Sequence, residues 1–179
     1  MNTISDVVEF WRDAGYRKWF TRDDAFDAEF RTRFLDAHYA AARREMEGWM
    51  ESADGALALM VLLDQFPRNC FRGSAHSYAS DGLARHYASR AIDAGFDKQV
   101  DPAMRFLFYM PFEHSEAPQD QRRALELFAE LGDANYLKFA QLHADIIERF
   151  GRFPHRNAAL GRESTQEEID YLAGGGFSG

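Results

Sequence analysis

Apolar side chains recur every three or four residues along most of the chain, the spacing that places them on one face of an α-helix. Phe26, Phe30 and Phe34 show it most plainly, each four residues after the previous one. Two later amphipathic segments cover about residues 118–131 and 133–150. No segment alternates apolar and polar residues between hairpin turns, as a half-buried strand does. The pattern therefore predicts an all-α protein of seven to eight helices without a sheet.

Glycine and proline divide this pattern into separate helices. Gly132 and Gly151 follow the two amphipathic segments and are typical C-terminal stops. In the same way, Gly15 is predicted to end the first helix, and Pro67 the helix that contains residues 56–63. Because that run of eight residues is apolar on every side, we expect its helix to lie in the core.

The length of 179 residues is typical of one domain, so we predict a single domain over residues 1–173 and a flexible glycine-rich tail over 174–179. The longest apolar run, residues 56–63, is far shorter than the roughly 20 residues that span a bilayer. The first residues do not resemble a signal peptide. We therefore expect a cytoplasmic protein with no membrane partner.

The formal net charge of −8 argues against a general nucleic-acid binder, whose affinity depends on neutralising phosphates. Only three of the 21 basic residues are Lys, and the rest are Arg, which suits bidentate pairing with carboxylate or phosphate. A GC-rich genome would produce the same bias. Cys70 is the only cysteine, which excludes an internal disulfide. No glycine-rich phosphate loop is present, and we predict no cofactor.

A short motif occurs twice. Residues 66–69 read Phe-Pro-Arg-Asn and are followed by Gly73, and residues 153–157 read Phe-Pro-His-Arg-Asn and are followed by Gly161. One interpretation is two equivalent corners that present Arg and Asn to a shared site. The other is a pair of similar helix exits, in which Pro stops the helix, Phe fills the core and Gly allows a positive φ.

Two groups of polar residues stand beside apolar segments. Asp64 closes the most apolar helix, so its carboxylate needs a partner, for which Arg68, Arg72, Arg105 and Arg156 are the candidates. In residues 112–116, His114 is a candidate general base with Glu116 as its orienting or acidic partner, or part of a metal site. The alternative is that Ser115 and Glu116 cap the helix that begins near residue 118. His143, on an apolar helix face, is interpreted as a core residue.

Three motifs in order resemble an uncharacterised bacterial family, domain of unknown function 924. They are residues 62–69 (LLDQFPRN), residues 111–116 (PFEHSE) and residues 149–157 (RFGRFPHRN), the last followed by LGR at 160–162. The resemblance implies a tetratricopeptide-like helical fold and no assigned activity. The family pattern has an apolar residue, often Met, where this chain has Glu113, so it does not imply a shared role for that residue.

Three hypotheses for function follow. The first is a helical binding protein with a polar pocket for a small anionic molecule or a peptide carboxylate. Its predicted ligand-binding residues are Asp64, Gln65, Arg68, Asn69, Arg72, Ser115, His155, Arg156 and Asn157. The second is a hydrolase or lyase with catalytic His114 and Glu116, in which arginines stabilise developing negative charge. The third is a scaffold that binds a partner in a helical groove. We predict no metal, and the sequence leaves the oligomeric state open.

Overall fold

Nine α-helices, several of them linked by 3₁₀ turns, make up the secondary structure of residues 2–179, the part of the chain that the computed structural model describes. They are α1 (Ile4–Phe20), α2 (Asp24–Ala42), α3 (Ala53–Met60), α4 (Phe66–Cys70), α5 (Asp81–Asp93), α6 (Met110–Glu113), α7 (Pro118–Leu131), α8 (Ala134–Phe150) and α9 (Gln166–Ala173). No strand occurs in these residues, which confirms the all-α class. The tetratricopeptide-like arrangement stays a prediction.

Helix boundaries follow local capping chemistry where the sequence supplies it. Thr3 and Thr165 each form a capping box with an acidic residue three positions later, and Ser52 caps α3. Gly132 and Gly151 end α7 and α8 in the left-handed conformation, with φ of 80° and 69°, as predicted. These ends need no tertiary contact because the orphan backbone groups are satisfied within a few residues.

The prediction that Gly15 ends the first helical segment is confirmed, because Gly15 adopts the non-helical angles φ 73° and ψ 167°. A second helical segment follows this kink directly and extends α1 to Phe20. The side chain of Trp19, after the kink, folds back so that its indole Nε1 donates to the carbonyl oxygen of Trp11 at 2.7 Å. The two indole rings stack at 6.2 Å, so tertiary packing holds the continuation in place.

The prediction that Pro67 ends its helix is wrong. A π-helical turn, Val61–Gln65, follows α3 and leads directly into α4, where Pro67 occupies the first turn. Proline has no N–H to donate to the preceding turn, so the helix continues past it only because other groups satisfy the freed carbonyl oxygen. Residues Pro102–Phe108 form a 3₁₀ helix, with Asp101 as its N-cap.

The chain forms two compact units, described separately below. Unit 1 comprises residues 1–72 and 76–111, and unit 2 comprises residues 73–75 and 112–179. In unit 1, α3 and the π-helical turn lie at the centre, and every residue from Ala56 to Leu63 has no exposed surface. Around them, Phe30 of α2 stacks against Phe10 of α1 and contacts Phe66 of α4 edge-on. Such burial supplies most of the stability of an α-helical unit.

In unit 2, α7 and α8 pack against each other, with Phe128 stacked on Tyr136 across their connection. A cluster of Ile146, Ile147 and Phe153 fills the core beside α9, and Phe177 packs against it. Phe177 lies within the segment predicted to be a flexible tail, yet its backbone N–H donates to the hydroxyl oxygen of Tyr171 at 3.0 Å. The single-domain organisation stays a prediction. Between residues 2 and 179, no helix combines the length and apolarity that crossing a bilayer requires.

Candidate functional site

The buried carboxylate of Asp64, in unit 1, is paired with Arg68. The Nη1 atom of Arg68 lies 3.1 Å from Asp64 Oδ1, and the guanidinium also makes a bidentate pair with Asp81, at 2.8 and 2.9 Å. Gln65 donates to the other Asp64 oxygen at 2.6 Å. Burial alone would lower the pKa of Arg68, but the charges of Asp64 and Asp81 outweigh it and raise the pKa. Arg68 is therefore permanently charged and already matched by two carboxylates.

The π-helical turn explains why polar side chains gather here. In π register, the Leu62 carbonyl would accept from residue 67, but Pro67 has no N–H. His38 Nδ1 takes that place, 2.9 Å from the Leu62 oxygen. The next two carbonyls accept from Ser80 Oγ at 2.6 Å and from Arg68 Nη1 at 2.9 Å. The first motif thus builds a distorted turn whose carbonyls are held by side chains from other elements.

The other two predicted ligand-binding residues of this corner converge on Asp27. Asn69 Nδ2 donates to Asp27 Oδ1 at 2.7 Å, and Arg72 Nε donates to Asp27 Oδ2 at 3.1 Å. Each of the polar groups expected to hold an anion in unit 1 therefore contacts a carboxylate of the protein itself. Of the helix-exit interpretation, the structure shows the positive φ of 76° at Gly73 but not a helix stop at Pro67.

In unit 2, the predicted catalytic residue Glu116 is engaged by backbone and arginine rather than by a histidine. Arg162 makes a bidentate pair with it at 2.7 and 2.9 Å, and the Phe153 N–H donates to Oε1 at 2.8 Å. Burial alone would raise the pKa of Glu116, but these hydrogen bonds outweigh it and lower the pKa. An ionised carboxylate with two oxygens occupied is poorly suited to donate a proton.

The remaining polar residues of the two unit 2 motifs link neighbouring segments. Arg156 Nη2 donates to the carbonyl oxygen of His114 at 2.9 Å, which joins the second motif to the third. Asn157 donates to Glu168, itself paired with Arg152 at 2.6 Å. Ser115 Oγ donates to Asp120 in the first turn of α7 at 2.6 Å and accepts from the Ala117 N–H. The N-cap of α7 is Ala117 and no side chain caps this helix, so the capping alternative is wrong.

The carboxylate that meets a histidine in unit 2 is Glu113, with His143 of α8. Glu113 Oε1 lies 2.9 Å from His143 Nδ1, and both side chains are more than nine-tenths buried. The Phe139 carbonyl oxygen lies 2.8 Å from the same nitrogen. Since both neighbours of Nδ1 are acceptors, Nδ1 carries the proton, and the lone pair of the neutral ring is on Nε2.

Aromatic rings enclose this pair. Phe153 lies edge-on to the His143 ring at 5.4 Å between centroids, and Phe177 does so at 4.7 Å. The guanidinium carbon of Arg156 lies over the Phe153 ring at 4.4 Å from its centroid. His155, half-buried, packs against Phe177 at 5.2 Å. Two predicted ligand-binding residues, His155 and Arg156, therefore contact the rings that pack against His143.

Sequence reasoning missed both members of this pair. The resemblance implies no shared role for Glu113, because this residue departs from the family pattern. The sequence analysis interprets His143 as a core residue, because a lone histidine on an apolar helix face usually is one. The usable indication was the coincidence of a carboxylate and a histidine that both had to be buried, since each then requires a partner. Between residues 2 and 179, no group of three or more His, Cys, Asp or Glu side chains is arranged to hold a metal ion.

Comparison with known proteins supports the resemblance seen in the motifs. The chain matches the model of a family described as bacterial protein of unknown function (DUF924) over residues 7–176. No curated protein sequence matches it. The structure of a protein of unknown function from Agrobacterium tumefaciens is 56% identical, with a TM-score of 0.92, over 94% of this chain and 96% of that one. Neither comparison establishes a function. The chain therefore belongs to the bacterial DUF924 family.

Proposed function

We propose that unit 2 carries an acid–base catalytic site in which His143 is the general base and Glu113 its orienting partner. The observation that supports it is the 2.9 Å contact between Glu113 Oε1 and His143 Nδ1 in a buried setting. The Phe139 carbonyl oxygen, 2.8 Å from Nδ1, fixes the tautomer, and the neighbouring carboxylate stabilises the imidazolium that forms when Nε2 accepts a proton. The proposal applies to this chain and is not extended to its family, because the family pattern has an apolar residue at the position of Glu113.

The reaction class that fits is hydrolysis of an ester or a related acyl compound. A water proton passes to His143 Nε2 as the water oxygen bonds to the acyl carbon. The imidazolium then returns that proton to the leaving oxygen as the carbon–oxygen bond breaks. A positioned general base contributes about 10²–10⁴-fold to the rate of such a reaction.

The surroundings of His143 favour a substrate that carries or develops negative charge. Arg156 is buried, and its guanidinium lies on the same Phe153 ring that packs against His143. A positive charge held in an apolar setting stabilises a developing oxyanion far better than the same charge in water. In this proposal, the small anionic molecule that the sequence analysis expects as a ligand is the substrate. Compared with the pair expected from the sequence, His143 takes the role of His114, and Glu113 that of Glu116.

The test is hydrolysis of p-nitrophenyl acetate by the full chain and by two variants, His143→Ala and Glu113→Gln. We expect kcat/KM to fall by about 10²-fold in His143→Ala, and by a smaller factor in Glu113→Gln because the base remains but loses its partner. The matched control is His86→Ala, which removes an exposed histidine from α5 of unit 1. Its rate should equal that of the unchanged protein. Far-UV circular dichroism checks that all variants are folded.

A second readout does not depend on the choice of ester. Diethylpyrocarbonate acylates a histidine at a nitrogen that bears a lone pair, and mass spectrometry gives the rate for the peptide that contains His143. We expect Glu113→Gln to slow this reaction at neutral pH. Equal acylation rates in both proteins, together with equal esterase rates in all of them, would refute the proposed function.

A further inference from the structure

Unit 1 holds a pair of histidines that the proposed function does not use. The Nε2 atom of His38, in α2, lies 3.1 Å from the Nε2 atom of His76. His38 is 1% exposed, whereas His76 is half-buried and stacks on Phe71 with 3.9 Å between ring centroids. Two imidazole nitrogens at this distance share one proton, so one donates and the other accepts.

The hydrogen bond of His38 to the π-helical turn decides which nitrogen accepts. Nδ1 of His38 lies 2.9 Å from the Leu62 carbonyl oxygen, which can only accept, so Nδ1 carries the proton. The lone pair of His38 is therefore on Nε2 and is aimed toward His76. A backbone carbonyl that holds the Nδ1–H of a histidine is the usual outer partner of a metal-bound imidazole, because it fixes the ring and raises the basicity of the other nitrogen.

A cavity lies beside the pair. Its volume is about 110 Å³, and it is lined by His38, Ala42, His76, Ala79, Ser80 and Leu83. The small side chains of Ala42 and Ala79 leave the space open, and no lining residue is charged. A water molecule occupies roughly 30 Å³ of liquid, so the cavity has room for an ion and a few waters.

We propose that His38 and His76 bind a divalent transition-metal ion in this cavity. With metal–nitrogen bonds of about 2.05 Å, a nitrogen separation near 3.1 Å corresponds to an angle of roughly 100° at the metal, between octahedral and tetrahedral values. On binding, the single ring proton of His76 moves from Nε2 to Nδ1, so that both Nε2 atoms offer a lone pair to the ion. Waters in the cavity complete the coordination.

The donor set defines the class of ion. Two neutral imidazoles with no carboxylate suit Zn²⁺, Ni²⁺ or Cu²⁺ and offer little to Mg²⁺ or Ca²⁺, which prefer oxygen ligands. Since only two ligands come from the protein, we expect a dissociable ion rather than a permanent structural one. This site is separate from the acid–base pair in its residues, so esterase activity with p-nitrophenyl acetate does not test it.

The test is calorimetric titration of the chelator-treated full chain with Ni²⁺ at neutral pH. We expect saturation at one ion per chain, a binding heat that does not depend on the ionisation enthalpy of the buffer because both imidazoles are neutral before and after binding, and no saturable heat with Mg²⁺. His76→Gln keeps a side chain that can donate to His38 but removes the ligand, so affinity should fall by about tenfold or more. The control is again an exposed histidine, His86→Gln, and its affinity should not change.

A second measurement needs no variant. Paramagnetic Ni²⁺ should broaden the ring-proton NMR signals of His38 and His76 before those of the other four histidines. Broadening that begins at a different histidine would overturn the proposal. The absence of saturable Ni²⁺ binding by the unchanged protein, or equal affinity in a folded His76→Gln variant, would overturn it as well and leave the pair as a hydrogen bond between two elements of unit 1.

Discussion

Arg68→Ala is the substitution whose effect the structure defines most sharply. The guanidinium of Arg68 bridges Asp64 and Asp81 and also holds the Asp64 carbonyl oxygen of the π-helical turn. The side chains of Arg68, Asp64 and Asp81 are 17%, 1% and 11% exposed. Removing the arginine takes away the cation that bridges these two poorly hydrated carboxylates.

The magnitude follows from that burial. Breaking a buried ion pair by deleting one partner costs about 3–5 kcal/mol, because the uncompensated charge is more costly than the pair was favourable. For a chain of this size, that corresponds to a fall of roughly 6–20 °C in Tm. Arg72 provides a matched control four residues later, since it pairs with Asp27 but is 41% exposed. Exposed pairs contribute about 0–1 kcal/mol, so Arg72→Ala should be nearly neutral.

The assay is urea unfolding followed by tryptophan fluorescence. All three tryptophans (Trp11, Trp19 and Trp49) lie within unit 1, so the signal reports the unit that contains Arg68. We also expect Arg68→Ala to cost less when introduced together with Asp81→Asn, because one of the two carboxylates no longer needs a partner. Equal losses of stability in Arg68→Ala and Arg72→Ala would refute the reasoning that burial decides the energy of these pairs.

Three further outcomes are expected. Gly55→Ala should destabilise unit 1 by about 1–3 kcal/mol in the same assay, because a Cβ there would collide with the Trp49 carbonyl oxygen. The control is Gly82→Ala, which should be neutral or slightly stabilising because there is open space around Gly82. Burial lowers the pKa of His38, helped by the charge of His76 and opposed by the Leu62 hydrogen bond, so the folded state binds its proton less readily than the unfolded chain. The free energy of unfolding should therefore fall as the pH drops below about 6.5, and this slope should flatten in His38→Gln if the variant folds. Phe177→Ala should speed the acylation of the histidine in the acid–base pair by diethylpyrocarbonate, because the Phe177 ring packs against it, and an unchanged rate would show that this ring does not shield it.

Much of the helical framework is readable from the sequence because it depends on contacts within one or two turns. The apolar repeat of α2 and the left-handed glycines after α7 and α8 are local features, and the structure confirms them. The central position of residues 56–63 is equally predictable, since a segment that is apolar on every side has only the core to occupy.

The partners of the buried polar groups depend on tertiary structure. The sequence shows that Asp64 needs a cation and offers four arginines, but it does not indicate that Arg68 is the one, shared with Asp81. Likewise, Pro67 has the local character of a helix stop. The chain continues past it because side chains from distant segments satisfy the carbonyls of the π-helical turn.

The acid–base pair shows the same division. The spacing of apolar residues along α8 puts His143 on the buried face of that helix. Glu113 is the last residue of α6 and lies 30 residues before His143 in the chain. Local periodicity determines which side of a helix a residue occupies. Which residue lies opposite depends on how the helices pack, and a buried charge is stable only where that packing supplies its counterpart.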